Sequence, residues 1–289
     1  MKDTKLKKAL QKKSHFWAEA LFCKQKIWNY KHKNFIHEYD KKLKKYHNLH
    51  KDESCIIVGN GPSLTVNDLN SISDFVTFGC NRIYGLFAET KWRPTYYVCQ
   101  DELILVPNLS DIQIETRECK ARFFPINFYE KYTSEFMNAE DNYFFNFDMK
   151  PFGTVGLKPF SKKYPSFSLD CEKKIVEGYT VTYAMIQLAI YMGFSEIYLI
   201  GLDHSYDVKY NDDGTVDEED YKKNYVEGLR PSLSNQTNPP RILEMTNSYK
   251  KANDIANTYN RKIVNATRGG KLEIFERITL EEVLRRYKC

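Results

Sequence analysis

The sequence predicts an α/β protein built on a doubly wound, mostly parallel sheet, and three observations carry that prediction. Short all-apolar runs of strand length end at glycine or asparagine turns, as strands buried on both faces do. A helical pattern leads directly into one such strand, as in a parallel-sheet crossover. A long polar stretch interrupts the alternation late in the chain, the usual form of a lid.

The elements follow in order. Residues 1–52 read as two amphipathic helices, with Leu6, Leu10, Trp17 and Leu21 on one apolar stripe, Phe35, Tyr39, Leu43 and Tyr46 on another, and lysines between. The pattern changes at Cys55-Ile56-Ile57-Val58, a strand that ends in Gly59. Strands follow at residues 75–79, at 95–99 and near 122–126. Residues 180–192 carry Tyr183, Ile186, Gln187, Ile190 and Tyr191 at helical spacing, Gly193 closes the helix, and residues 196–200 return as a strand. Residues 212–225 are acidic and polar and residues 231–240 are rich in Pro, Ser and Asn, so a lid is expected over about 205–245. A helix over 247–260, a strand over 262–264 and a helix over 280–287 complete the chain. The expected division is a basic helical extension over 1–52 and a Rossmann-like domain over 53–289, with ligands beyond the carboxyl ends of its strands.

Composition narrows the class. Apolar residues make up 42% of the 289 and aromatics 15%, enough to build a core. No apolar run approaches the roughly 18–20 residues that cross a bilayer, and the lysine-rich start lacks the apolar stretch of a secretory signal, so a cytoplasmic location is expected. The 7 cysteines form no C-x-x-C pair and no Cys/His cluster, which points to reduced, buried thiols rather than zinc or disulfides. Residues 1–51 hold 15 Lys against 4 acidic residues, so a chain of net charge +5 carries +11 there and −6 elsewhere. Nucleic acid is thereby disfavoured as a partner of the body. The basic segment is expected to pack on the body or on a second copy in a homo-oligomer, or to touch the anionic inner face of a membrane.

The chemistry-bearing residues fall at strand ends. Gly59-Asn60-Gly61-Pro62-Ser63-Leu64 follows the first strand; it is neither a dinucleotide fingerprint nor a P-loop. Its glycines and free amides still suit close approach of a phosphate, with the side chains of Asn60 and Ser63 as further partners; the plain alternative is a turn that Ser63 caps. Asn81 ends the second strand and suits a ribose or base, or a turn. Asp101 ends the third. Gly201-Leu202-Asp203-His204 ends the strand through Leu199. His204 is the one histidine outside the basic segment, a candidate general base or phosphate contact. Tyr206, Tyr210, Tyr221 and Tyr225 offer hydroxyls to a leaving phosphate, or pack as ordinary core. No D-x-D sequence occurs, so a metal-independent reaction is expected.

Together, G-N-G-P-S-L, C-N at Cys80-Asn81, and G-x-S-E-I-Y-L-x-G-x-D over residues 193–203 resemble the bacterial sialyltransferases of glycosyltransferase family 42. They also resemble the sialyltransferase-like domains of motility accessory factors and the 6-hydroxymethylpterin pyrophosphokinase-like proteins. The resemblance runs in islands from about Cys55 to Val264. It implies a CMP-linked acidic sugar as donor substrate, no resident cofactor, and inverting transfer to a glycan or glycolipid acceptor. By position, Asn60, Gly61, Ser63 and Asn81 would hold the donor, Thr180 the sugar carboxylate or nearby ribose, and Gly201, Asp203 and His204 the cytidine side, with Tyr206 and one of Tyr221 or Tyr225 steadying the departing phosphate. Gly59, Pro62, Asp101 and Leu202 complete the candidate donor-binding set. Two departures stand out. Thr180-Val181-Thr182 replaces the family's Thr-Ser-Gly, and Glu244 stands where the family has its catalytic histidine, leaving Glu244 and His204 as candidate bases. Asn265-Ala266-Thr267-Arg268-Gly269-Gly270 is closer to the pyrophosphokinase-like branch. That branch supplies the alternative, pyrophosphoryl transfer from ATP with magnesium on carboxylates such as Asp101 and Asp203; a non-catalytic scaffold with a decayed nucleotide cleft is a third reading.

Overall fold

A computed structural model describes residues 27, 30–149, 166–206, 224–227, 229 and 240–287. Its centre is an eight-stranded sheet in which every pairing is parallel. The strands are β1 (Ser54–Val58), β2 (Val76–Cys80), β3 (Tyr96–Val98), β4 (Ala121–Pro125), β5 (Asn142–Phe145), β8 (Glu196–Ile200), β9 (Lys262–Asn265) and β10 (Glu276–Arg277), in the order β10-β9-β8-β1-β2-β3-β4-β5. β6 (Phe147–Asp148) and β7 (Ile175–Val176) pair separately.

The order explains where a site can form. The chain lays β1 to β5 outward in one direction, then returns to place β8 against the other side of β1, with Cys55 opposite both Val76 and Ile197. The carboxyl ends of β1 and β8 therefore flank the topological switch point, where the connecting loops diverge and leave a crevice.

Alternation along the strands feeds a separate apolar layer on each face. Cys55, Ile57, Phe78 and Val98 face the layer that contains α6 (Val181–Tyr191) and α7 (Ile242–Thr258). Ile56, Val58, Tyr97 and Phe124 face the layer formed by α2 (Val66–Ser71), α3 (Glu102–Leu105), α4 (Leu109–Glu115), α5 (Ser134–Asn138) and α8 (Leu280–Tyr287). Helix α6 is buried almost all round rather than amphipathic. Its final carbonyls are met by the turn after α1 (Lys33–Leu43): Asn48 N–H donates to Tyr191 and His50 N–H to Met192. Gly193 takes φ +95°, the left-handed value that ends such a helix.

The second of the two apolar stripes in the basic segment packs on the body. Ile36 and Leu43 are buried, and Tyr39 meets Phe144 edge-on at 5.2 Å. The first stripe, Leu6 to Leu21, lies outside the described residues, as do Tyr210, Tyr221 and most of the expected lid. Two boundaries need correction. The helix expected from residue 247 begins at Ile242, so Glu244 and Met245 stand on its first turn instead of in the lid. The cap of α2 is Thr65, in a reciprocal capping box with Asp68, and not Ser63.

Five cysteines, Cys55, Cys80, Cys99, Cys119 and Cys171, are free and buried. Among the described residues, no helix is long and apolar enough to cross a membrane.

Candidate functional site

The loops after β1 and β8 interlock. Gly59 N–H donates to the Ile200 carbonyl at 2.8 Å and Gly61 N–H to the Gly201 carbonyl at 2.9 Å, extending the ladder beyond the strands. A Cβ on Gly59 would stand 2.3 Å from the Gly201 oxygen, and one on Gly61 only 2.0 Å from Asp203 Oδ2. The two glycines thus admit a neighbouring loop, where the sequence had suggested room for a ligand. Ser63 donates its hydroxyl to Asp203 Oδ2 at 2.8 Å. Burial raises the Asp203 carboxyl and the Ser63 bonds oppose that shift. The Arg268 guanidinium reaches across to the Ser63 carbonyl at 3.0 Å and to Asp68 at 2.8 Å, while Pro62 stays exposed and Leu202 is buried.

The ends of the first two strands deliver two amides, Asn60 and Asn81, to the same rim. Asn60 Nδ2 donates to the Cys80 carbonyl at 3.2 Å, fastening the first loop to the end of β2. Asn81 itself is left-handed at φ +52°. Among the described residues, the Oδ1 atoms of both side chains are buried without a hydrogen-bond partner, as is Oε1 of Gln100. Val226, within the segment expected as a lid, returns here, its N–H on the Asn60 carbonyl at 3.0 Å.

Thr180 caps α6, accepting from Thr182 N–H, and lies 3.4 Å from the buried Tyr249 hydroxyl. His204, left-handed at φ +49°, has its ring against Tyr249 and Tyr206. Thr246 spends its hydroxyl hydrogen on the Ile242 carbonyl at 2.7 Å, so the 2.8 Å contact to His204 is a donation from Nε2–H. Nδ1 is left as a buried lone pair with no partner among the described residues. Burial lowers the affinity of this imidazole for a second proton.

The residues expected from the sequence divide between two hollows. Asn81, Asp101, Thr180, Tyr206, Tyr225 and Glu244 line a cavity of about 930 Å³, together with Gln100, Glu102, Glu177, Tyr179 and Arg241. Ser63 and Gly201 line a second of about 390 Å³ beside Arg268, Arg277 and the start of α8. Gly59, Asn60, Gly61, Pro62, Leu202, Asp203 and His204 line neither and stand on the strand-end rim. Asp101 thus lines the larger hollow and Asp203 neither of the two.

Glu177 is the group that sequence reasoning missed. It is 6% exposed, and burial, reinforced by Asp101, pushes its carboxyl up to about 8. The available signal was a lone acid in the otherwise apolar approach to a helix. Arg241 also went unread; it holds Glu244 at 3.6 Å and lies over the Tyr179 ring.

A family model described as 6-hydroxymethylpterin diphosphokinase MptE-like matches residues 31–209. The chain belongs to this MptE-like family. The match takes in α1, the glycine turn, Asn81, Glu177, Thr180 and the Asp203-His204 pair; Arg241, Glu244 and Arg268 of this MptE-like chain lie beyond it. No curated protein matches. Among solved structures, the MAf glycosyltransferase from Magnetospirillum magneticum AMB-1 is similar at 16% identity and TM-score 0.48, over 85% of this chain but only 39% of that one. The sialyltransferase CstII from Campylobacter jejuni, in complex with cytidine-5'-monophosphate, is similar at 19% identity and TM-score 0.43, over 79% of this chain and 85% of that one. The same enzyme with CMP-3FNeuAc gives 18% and 0.41, over 78% and 85%.

Proposed function

We propose that this protein is a glycosyltransferase that moves a nonulosonic or related acidic sugar from a CMP-activated donor to a hydroxyl of a glycan acceptor. The observation that carries the reading is the set of buried acceptor oxygens without donors among the described residues, on Asn60, Asn81 and Gln100, beside a cavity lined by four carboxyl groups and one guanidinium. Hydroxyl-rich sugars supply the donors that such oxygens require.

In this reading Asn60, Asn81 and Thr180 hold the donor and the Asp203 loop takes its nucleotide end. The hydroxyls of Tyr206 and Tyr225 offer hydrogen bonds to the departing phosphate. The lysine-rich first residues would bring the protein to an anionic membrane face that carries the acceptor.

The family description supports a second reading, pyrophosphoryl transfer from ATP to a pterin-type alcohol. Thermal-shift measurements with and without magnesium separate the two. The first expects CMP to raise Tm with no metal added and ATP to do little. Stabilisation by ATP–magnesium alone, with release of AMP, would establish the second in its place. Stabilisation by neither would leave a scaffold.

A further inference from the structure

Glu177 is held more firmly than a surface acid. The preceding Val176 is clamped by Gln187 of α6, which accepts from Val176 N–H and donates to its carbonyl, and Glu177 N–H donates to Asp148 at 3.0 Å. Gly178 has no room for a side chain, because a Cβ there would lie 2.3 Å from the Tyr183 ring. Tyr179 then adopts φ +61° and turns its own N–H on to Glu177 Oε1 at 2.5 Å. One carboxyl oxygen is therefore fixed. The other, Oε2, is buried and has no partner among the described residues, and the residue lines the large cavity.

Bracing Tyr179 needs a single acceptor oxygen, which a glutamine would provide. The second oxygen has no structural task, and a buried acceptor left bare is costly unless a ligand meets it. Among the charged groups that bear on it, Asp101 favours the protonated form and Arg241 the ionised form, with burial the largest influence. The phenols of Tyr179 and Tyr183 complete its titratable surroundings, both raised by burial with Glu177 as the next cause. The other candidate bases are less well placed. Glu244 is held by Arg241, and His204 does not line the cavity.

We propose that Glu177 is the proton acceptor for the reacting hydroxyl of the acceptor substrate, through Oε2. This rests on the reading of the cavity as a site of transfer to a hydroxyl. As the acceptor O–H bond breaks, its proton passes to Oε2. The oxygen's electron pair forms the new bond to the anomeric carbon, and the bond from that carbon to the donor phosphate breaks, the nucleotide leaving with the pair. A carboxyl that ionises near pH 8 is matched to this task at neutral to mildly alkaline pH.

The experiment compares the full-length wild type with E177Q and E177D, measuring protection by CMP and release of CMP from CMP-N-acetylneuraminate with water as acceptor. The wild-type rate should rise with pH and level off above about 8. E177Q should keep CMP protection yet lose on the order of 100-fold in rate and the pH dependence with it, and E177D should recover part of both. A rate in E177Q within twofold of wild type, with the profile intact, overturns the proposal. If ATP–magnesium protects and CMP does not, the sugar-donor reading falls, and the same comparison on AMP release with 6-hydroxymethylpterin decides the role of Glu177 separately. A wild type that releases neither nucleotide overturns both.

Discussion

Asp203 occupies the space that a side chain on Gly61 would need, with Oδ2 2.0 Å from the ideal Cβ position. The carboxylate also receives the Ser63 hydroxyl, so one acid sets the spacing between the β1 and β8 loops. Gly61→Ala should therefore destabilise the fold by about 2 kcal/mol, in the range of overpacked sites, and weaken nucleotide protection. Removing the acid as well, in G61A/D203A, should restore only part of the loss, since the Gly201 carbonyl remains 2.7 Å away. Urea unfolding of the three proteins checks this; full restoration would mean that the backbone contact is unimportant.

Gln187 is fully buried and serves four backbone groups, accepting from Ser168 and Val176 and donating to Val176 and Tyr183. Gln187→Ala should cost about 3 kcal/mol, because it strands buried donors and a carbonyl as well as leaving a void. Chemical denaturation measures the loss. Q187E should be worse than Q187A at neutral pH, since a carboxylate cannot donate to the carbonyls.

His204 sets an acid limit on stability. Its buried imidazole takes up a proton less readily than in the unfolded chain, so the unfolded state is favoured as pH falls below the ordinary value of about 6.5. Asparagine tolerates the left-handed backbone there. H204N should flatten the decline of Tm between pH 7.5 and 5, and an unchanged slope would place the acid sensitivity elsewhere.

Glu177 acts in the opposite direction. Its folded carboxyl keeps a proton up to about pH 8 that the unfolded chain releases from about 4.5. Its contribution is therefore complete at pH 4.5 and lost as pH rises towards 8 and beyond. E177Q should gain stability relative to wild type across that interval, by on the order of 5 kcal/mol at the alkaline end. Differential scanning calorimetry at a series of pH values reads the difference, which should close near pH 4.5.

The α/β class was legible because parallel strands buried on both faces must be apolar throughout, as Cys55 to Val58 are. Residues 196–200 and 280–287 form the elements expected of them to the residue. The start of α7 was not legible, since Ile242 and Leu243 are exposed and break the apolar spacing. β6, β7 and β10 are two residues long and carry no periodicity. The alternation of strand and helix predicts a doubly wound order, and the return of β8 to the flank of β1 fulfils it; alternation does not say which strand makes that return. At the site, glycines and asparagines at strand ends marked the rim. The division into two hollows, and Glu177 in the larger, depend on packing between segments distant in sequence.

Helix α1 touches both apolar layers at once, Ile36 in one and Leu43 in the other, as it crosses outside β5, the last strand in the order. It acts as a hem on the sheet. A fragment trimmed to begin after this helix would present bare backbone and a ring of aromatic side chains to water. Such an edge recruits copies of itself, and self-association would be the first consequence of the cut.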